Sequence, residues 1–432
     1  MMSKGANKQS PWTWIPSLYF IEGIPYVAVM TIAVIMYKRL GINNTDIALY
    51  TSWLYLPWII KPLWSPIVDV LKTKRFWIYS MQLLLGGAFA GIAFTLPMDN
   101  FFQYSLAFFW LMAFCSATND IASDGFYMLG LSESQQAFFV GIRSTFYRIA
   151  MITGQGLVVI LAGTLEEKLN MAPDQRITYA WVFTFGSLSV LLLIAAVYHY
   201  FMLPDPEKEK DSDEVFSLQQ LLVPFISFFR KPNIVPAIAF LLLYRLGEAQ
   251  LVKIASLFLL DESAKGGLNL STQQIGFIYG TIGVLFLTLG GIIGGILASR
   301  QGLKYWLWWM MLALNVPNIL YALLAFFQPE NVYVISGAVA LEQLGYGFGF
   351  TAYMLFMIYL AEGNYKTAHF SIATAFMALG MMLPGMFSGW LQESVGYFNF
   401  FIWVVFAALP GFVAAYFIKI RPDFAKKERD GK

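Results

Sequence analysis

Apolar residues run through this chain in long stretches, such as 78–96 and 182–203, that exceed the roughly 18 residues marking a candidate bilayer crossing. Reading these runs against the short polar punctuation between them predicts about twelve helical spans, each near the expected length of roughly 20 residues. They fall at 13–37, 46–70, 75–97, 101–128, 137–164, 178–203, 234–262, 270–299, 303–327, 331–360, 367–392 and 397–421. One long polar segment, from Pro204 through the charged run Glu207 to Glu214 and on to Pro232, cannot lie in lipid. It separates an N-terminal six-helix half (1–203) from a C-terminal one (234–432), leaving a linker at 204–233. Within that linker, Phe216 to Phe229 mixes apolar residues with Gln219 and Gln220, the pattern of a short amphipathic helix on the membrane surface.

Composition agrees with an all-α integral membrane protein. The chain is 58% hydrophobic and only 12% charged, against roughly 25% charged in soluble proteins. The first apolar stretch, Trp14 to Tyr37, is too long for a signal-peptide core and lacks a small-residue cleavage pattern, so it reads as a retained span. Cytoplasmic loops are enriched in Lys and Arg. An N-terminus placed inside puts Lys72, Lys74, Arg75, Arg230, Lys231, Arg300, Lys304 and the 419–432 tail on that side, and leaves Lys38, Arg39, Lys168, Arg176 and Lys265 opposite. An even number of spans then brings both termini to the cytosol. One cysteine, Cys115, and two histidines, His199 and His369, exclude a disulfide, a zinc cluster or haem ligation, so no metal is expected. The near-zero net charge argues against a nucleic-acid partner.

The halves show traces of a repeat. Ser65 to Asp69, followed by Lys72 and Arg75, sits between spans 2 and 3; Gly294 to Leu297, followed by Arg300 and Lys304, sits between spans 8 and 9. A similar offset brings Phe146 and Met151 onto Phe376 and Met381, and nearly superposes Leu18-Tyr19 on Leu243-Tyr244. A parallel repeat of two six-span halves is the pattern of the major facilitator fold, whose substrate site lies near the bilayer midplane. By that likeness Asp69, Arg75 and Arg300 are expected to act in gating.

Placing Asp, Lys or Arg at a helix centre costs roughly 2.5–3.5 kcal/mol on insertion scales, so such residues face a bundle interior or a water-filled path. Here they include Glu22, Lys61, Asp120, Asp124, Arg143, Arg148, Arg245, Glu248, Lys253 and Glu342. Asp120 and Asp124 share one helix face at i, i+4, where two like charges disfavour full ionisation, which makes them proton-carrier candidates together with Glu22 and Glu248. Lys61 precedes Pro62, which weakens its helix. Lys61, Arg148 and Arg245 are candidates to hold an anionic cargo; Glu342 and Gln343 are further substrate-binding candidates. A fixed bridge between Arg245 and Glu248, or a structural partner for Lys61, accounts for these residues equally well. Arg143, near the cytoplasmic start of span 5, reads as a structural residue that snorkels to the interface. Tyr19, Tyr26, Trp53, Tyr127, Tyr147, Tyr244, Tyr346 and Tyr353 are candidates to line a cavity, stacking on sugar faces, although packing explains any single one of them.

No Gly-x-Ser-x-Gly, His-Glu-x-x-His or kinase set is present, and the glycine runs lack the strand and the Lys-Ser/Thr of a phosphate loop, so an enzymatic reading has no constellation to rest on. A membrane-embedded transferase should show a loop His or Asp constellation, and the only loop-proximal histidine is His369.

Several motifs together resemble one family. In the first half they are Glu22-Gly23-Ile24-Pro25, Lys61-Pro62-Leu63-Trp64-Ser65-Pro66 with Asp69, Cys115 to Asp120 with Asp124, and Tyr147-Arg148; in the second, Tyr244 to Glu248, Glu342-Gln343-Leu344 with Gly347, His369-Phe370, and Gly385, Gly389 and Trp390. The chain thereby resembles the AmpG-type permeases of the major facilitator superfamily. Arg245 to Glu248 stands where that family usually has Lys-Leu-Gly-Asp, and Asn119 and His369 replace glutamines. The resemblance implies a monomer of the bacterial inner membrane that imports N-acetylglucosaminyl-1,6-anhydro-N-acetylmuramyl peptides by proton symport for peptidoglycan recycling, with no cofactor. A permease for another oligosaccharide or a siderophore is the alternative within the same fold.

Overall fold

The computed structural model describes residues 10–205 and 218–425; the charged run at 207–214 lies outside them. Among the described residues every regular element is helical. That follows from the solvent: in hydrocarbon each backbone N–H and C=O needs a partner within its own segment. Ten helices among the described residues are long and apolar enough to cross a membrane. One of them, Ala368–Phe417, is two spans in succession, because Gly396 (φ 78°, ψ 164°) breaks the helix where only glycine adopts such a conformation cheaply.

Span 2 is not continuous. It consists of an Asn44–Trp53 helix and a Leu56–Leu71 helix parted at Leu54 and Tyr55, just before Pro57, which cannot supply a backbone N–H. Span 7 breaks at Arg245, whose backbone (φ −109°, ψ 19°) leaves the helical region. Span 9 narrows to a 3-10 turn over Val316–Asn318, around Pro317. Spans 1, 5 and 8 carry π-helical turns at Ala28–Ile32, Thr153–Val158 and Ile278–Gly283. A helix does stand before span 7, at Leu218–Phe229, with Phe228 buried and Leu222, Ile226 and Phe229 exposed.

Contacts divide the molecule into two compact units, one within Met1–Met36 and Ile60–Ser217, the other within Tyr37–Ile59 and Leu218–Lys432. The first is built on aromatic packing: Trp14 meets Phe126 edge-on at 5.0 Å, and Phe185 is flanked by Phe89 and Phe109. In the second, Tyr244 and Tyr353 stack almost in parallel at 4.9 Å.

The first part of span 2 packs in the second unit, held at its start by a polar cluster. Lys38 Nζ lies 2.7 Å from Asp261 Oδ1 and donates to Asn44 Oδ1 at 2.7 Å. Asn44 Nδ2 donates to Gln392 Oε1 at 2.6 Å, and the Tyr397 hydroxyl donates to Asp261 Oδ2 at 2.5 Å. The backbone N–H groups of Asn44 and Thr45 donate to Glu393 Oε1 at 2.8 and 3.2 Å, so a carboxylate from another helix serves the positive start of this one.

Glycine sets the closest helix approach of the second unit. A Cβ at Gly347 would stand 1.9 Å from the Leu287 carbonyl oxygen, and one at Gly290 would stand 2.1 Å from that of Leu344, so the Val284–Gln301 and Val332–Ala361 helices meet backbone to backbone. Overpacking of this kind costs about 1–3 kcal/mol. Gly347→Ala is therefore expected to lower the midpoint of thermal unfolding in detergent by several degrees, whereas Gly295→Ala, where a Cβ meets nothing within 4 Å, leaves it unchanged.

Candidate functional site

In the first unit four helices converge on five charged side chains. The Ile15–Val27 helix brings Glu22, Leu56–Leu71 brings Lys61, Phe101–Gly130 brings Asp120 and Asp124, and Glu133–Ile152 brings Arg143. Close approach is secured at Gly23, where a Cβ would lie 2.7 Å from the Ala150 Cβ. Lys61 Nζ donates a hydrogen bond to Asp120 Oδ2, a charge-assisted contact that places both side chains at about a fifth exposed. One turn on, Arg143 Nη2 stands 2.8 Å from Asp124 Oδ1, a close ion pair without hydrogen-bond alignment.

Where its place near the start of span 5 suggests a side chain reaching to the interface, Arg143 is engaged within the unit. Its guanidinium lies 4.5 Å from the Tyr19 ring centre and 4.9 Å from that of Tyr127, so two aromatic faces and a carboxylate hold it inside the unit. Asp120 and Asp124 do not form an isolated acid pair either, because each has its own cation. Glu22 is 7% exposed, has Asp120, Asp124 and Arg143 as electrostatic neighbours, and keeps Oε2 without a hydrogen-bond partner. The Tyr19 hydroxyl is also buried and unpartnered, whereas Tyr127 donates to the Gln136 carbonyl at 2.5 Å. Tyr26 and Tyr147 lie with ring centres 6.4 Å apart.

In the second unit the break in span 7 carries the main ion pair. Arg245 Nε and Nη2 donate to the two oxygens of Glu248 at 2.6 and 3.1 Å, a forked contact with both residues buried. Nη2 also donates to the Tyr346 hydroxyl at 2.8 Å, and the guanidinium lies 5.1 Å from the Phe350 ring centre. The second acid, Glu342, is 2% exposed and accepts from Gln343 Nε2 at 2.9 Å. Below it the hydroxyls of Tyr279 and Tyr321 hydrogen-bond to each other, a pairing that no sequence motif announces.

Other sequence candidates fall elsewhere. Tyr244 and Tyr353 are core residues: both are buried, and their hydroxyls donate to the Gly349 and Leu241 carbonyls at 2.7 and 2.5 Å. Trp53 is 38% exposed at the end of its helix. Arg148 is exposed and forms no ion pair among the described residues. Arg75 donates to the Tyr200 carbonyl at 2.6 Å, Arg300 is exposed, and the Asp69 side chain lies outside the described residues. His199 is buried between Ser17 and Gln82, at 3.0 and 2.7 Å. Among the described residues no group of His, Cys, Asp and Glu is placed to hold a metal.

Among the described residues, long apolar helices enclose paired charges, the arrangement of a multi-pass membrane protein. The Major Facilitator Superfamily model matches residues 17–368, and the chain belongs to that superfamily. Among curated proteins it is 26% identical over 408 residues to the anhydromuropeptide permease of Escherichia coli, covering 92% of this chain and 77% of that one. It is 24% identical over 414 residues to a Rickettsia conorii protein whose name places it among AmpG transporters, covering 91% and 92%. These relatives bear out the resemblance carried by the motifs. A bacterial homologue of the lysosomal transporter Spinster shares the fold with a TM-score of 0.71 at 13% identity, over 96% of this chain and 98% of that one. A D-xylose–proton symporter does so at 0.70 and 14%, over 96% and 99%.

Removing one partner of a largely buried ion pair strands the other, at a cost of about 3 kcal/mol or more. Lys61→Met is accordingly expected to reduce the folded yield sharply. Adding Asp120→Asn should restore most of it, as read by fluorescence-detected size exclusion, without restoring transport.

Proposed function

We propose that this secondary transporter imports anhydromuropeptides, N-acetylglucosaminyl-1,6-anhydro-N-acetylmuramyl peptides, from periplasm to cytosol, driven by the proton gradient. The observation that carries the coupling is the charge count of the first-unit cluster: three carboxylates stand against two cations. Fully ionised it holds one net negative charge, and a single proton makes it neutral. Asp120 and Asp124 each face a cation, so Glu22 is the carboxyl that takes and gives up that proton. Glu248 is committed to Arg245 and plays a structural part in this reading.

The cargo fits the chemistry present. Within the first unit, its peptide carboxylates suit charge-assisted pairing with Lys61 or Arg148, and its sugars suit the faces of Tyr26 and Tyr147. The name of the Escherichia coli relative points the same way. The protein works as a monomer in the inner membrane with both termini in the cytosol, and needs neither ATP nor a prosthetic group.

Uptake of a labelled anhydromuropeptide into cells or proteoliposomes, with and without an imposed pH gradient, tests this. Asp120→Asn, which strands Lys61, is expected to abolish uptake, and Glu22→Gln, which fixes the neutral form, to remove its dependence on external pH. Uptake indifferent to Asp120→Asn and to a protonophore would refute proton coupling. Competition by a free disaccharide or a siderophore, with none by the glycopeptide, would reassign the cargo.

A further inference from the structure

Lys61, Arg143 and Arg245 each have a carboxylate; Lys253 has none among the described residues. It lies in the Leu246–Leu260 helix and is 2% exposed. Its ammonium donates to Thr51 Oγ1 at 3.0 Å and stands 5.2 Å from the centre of the Tyr55 ring. A hydroxyl and an aromatic face are weak compensation for a desolvated cation, which carries three donors. Beside them Ser52 is fully buried and its Oγ has no partner. Gly385 leaves the room: a Cβ there would meet Ser52 Oγ at 2.7 Å and Lys253 Cγ at 3.3 Å.

What covers the ammonium is the least regular part of span 2. Thr51 and Ser52 belong to the last turn of the Asn44–Trp53 helix, and Tyr55 lies in the break before the next one. This cover is fastened by neutral contacts at Lys253, whereas its far end is fastened by the charged cluster of Lys38, Asp261 and Glu393. A carboxylate is a stronger acceptor for an ammonium than a neutral hydroxyl.

We propose that Lys253 is the residue that reads a carboxylate of the cargo, which takes the place of Thr51 and Tyr55 on the ammonium and so competes with the packing of the span 2 segment over it. The inference rests on the reading of the cargo as an anionic glycopeptide. Binding of the anion and departure of the cover are then one event, and a cargo without the carboxylate lacks the group that displaces Thr51.

The test compares uptake of the glycopeptide acid with that of the same compound bearing amides in place of its peptide carboxylates. In the wild type the acid is expected to be preferred. Lys253→Met should raise KM for the acid about tenfold, which corresponds to about 1.4 kcal/mol, with KM for the amide unchanged; Lys253→Arg should keep the preference. Thr51→Val, which removes only the resting partner, should lower KM for the acid. An acid preference that survives Lys253→Met, or equal losses of kcat for both cargoes, would overturn the proposal. If the wild type carries neither cargo, the glycopeptide reading fails, and acylation of Lys253 located by mass spectrometry decides the rest. Modification slowed by an N-acetylated acidic dipeptide supports the carboxylate site; modification indifferent to it, or absent, overturns it.

Discussion

A charge taken out of water and into a helix bundle must find its opposite there, and most of what distinguishes this protein follows from how that condition is met. The Lys61–Asp120 and Arg143–Asp124 contacts tie three of the helices around the first-unit cluster, and Arg245–Glu248 fixes the broken part of span 7. The apolar surfaces of the helices can slide against one another at little cost, because lipid is as apolar as leucine. Ion pairs and close glycine contacts cannot. The helices are placed laterally by those two kinds of contact, and the aromatic residues fill the space that remains.

Pairing also leaves remainders. Among the described residues Glu22 lacks a cation of its own, and Lys253 lacks an acid. A fold selected for stability alone would remove such residues by substitution to glutamine or methionine, at no loss of packing. Their presence in a membrane transporter is informative for that reason: on the proposed reading the missing partner comes from outside, as a proton for Glu22 and a cargo carboxylate for Lys253.

The helical spans were legible in the sequence because hydrocarbon imposes a single rule on every segment that crosses it, and the length of an apolar run records that rule. The interruptions were less so. Leu54 and Tyr55 are as apolar as their neighbours, so nothing in the hydropathy of span 2 marks the break, although Pro57 hints at one. Buried charges could be found by position but not matched, since the partner of Asp124 lies on a different span and distance along the chain carries no information about it. Arg143 illustrates this: its place in the run points to the interface but gives no sign of Asp124 and the two tyrosine faces that engage it. Tyr244 looked like a cavity residue because it adjoins Arg245, yet successive residues of a helix face different ways, and its ring turns into the core against Tyr353.

The seam between the Val284–Gln301 and Val332–Ala361 helices has a mechanical consequence. Carbonyl oxygens seated against glycine leave no slack, and a side chain cannot rotate to absorb displacement where there is none. These two helices therefore behave as a single beam. Strain delivered to one end of it is carried along its length, and bending is left to the places where the hydrogen-bond ladder is already irregular: the π turn at Ile278–Gly283, the 3-10 turn at Val316–Asn318 and the interruption at Arg245.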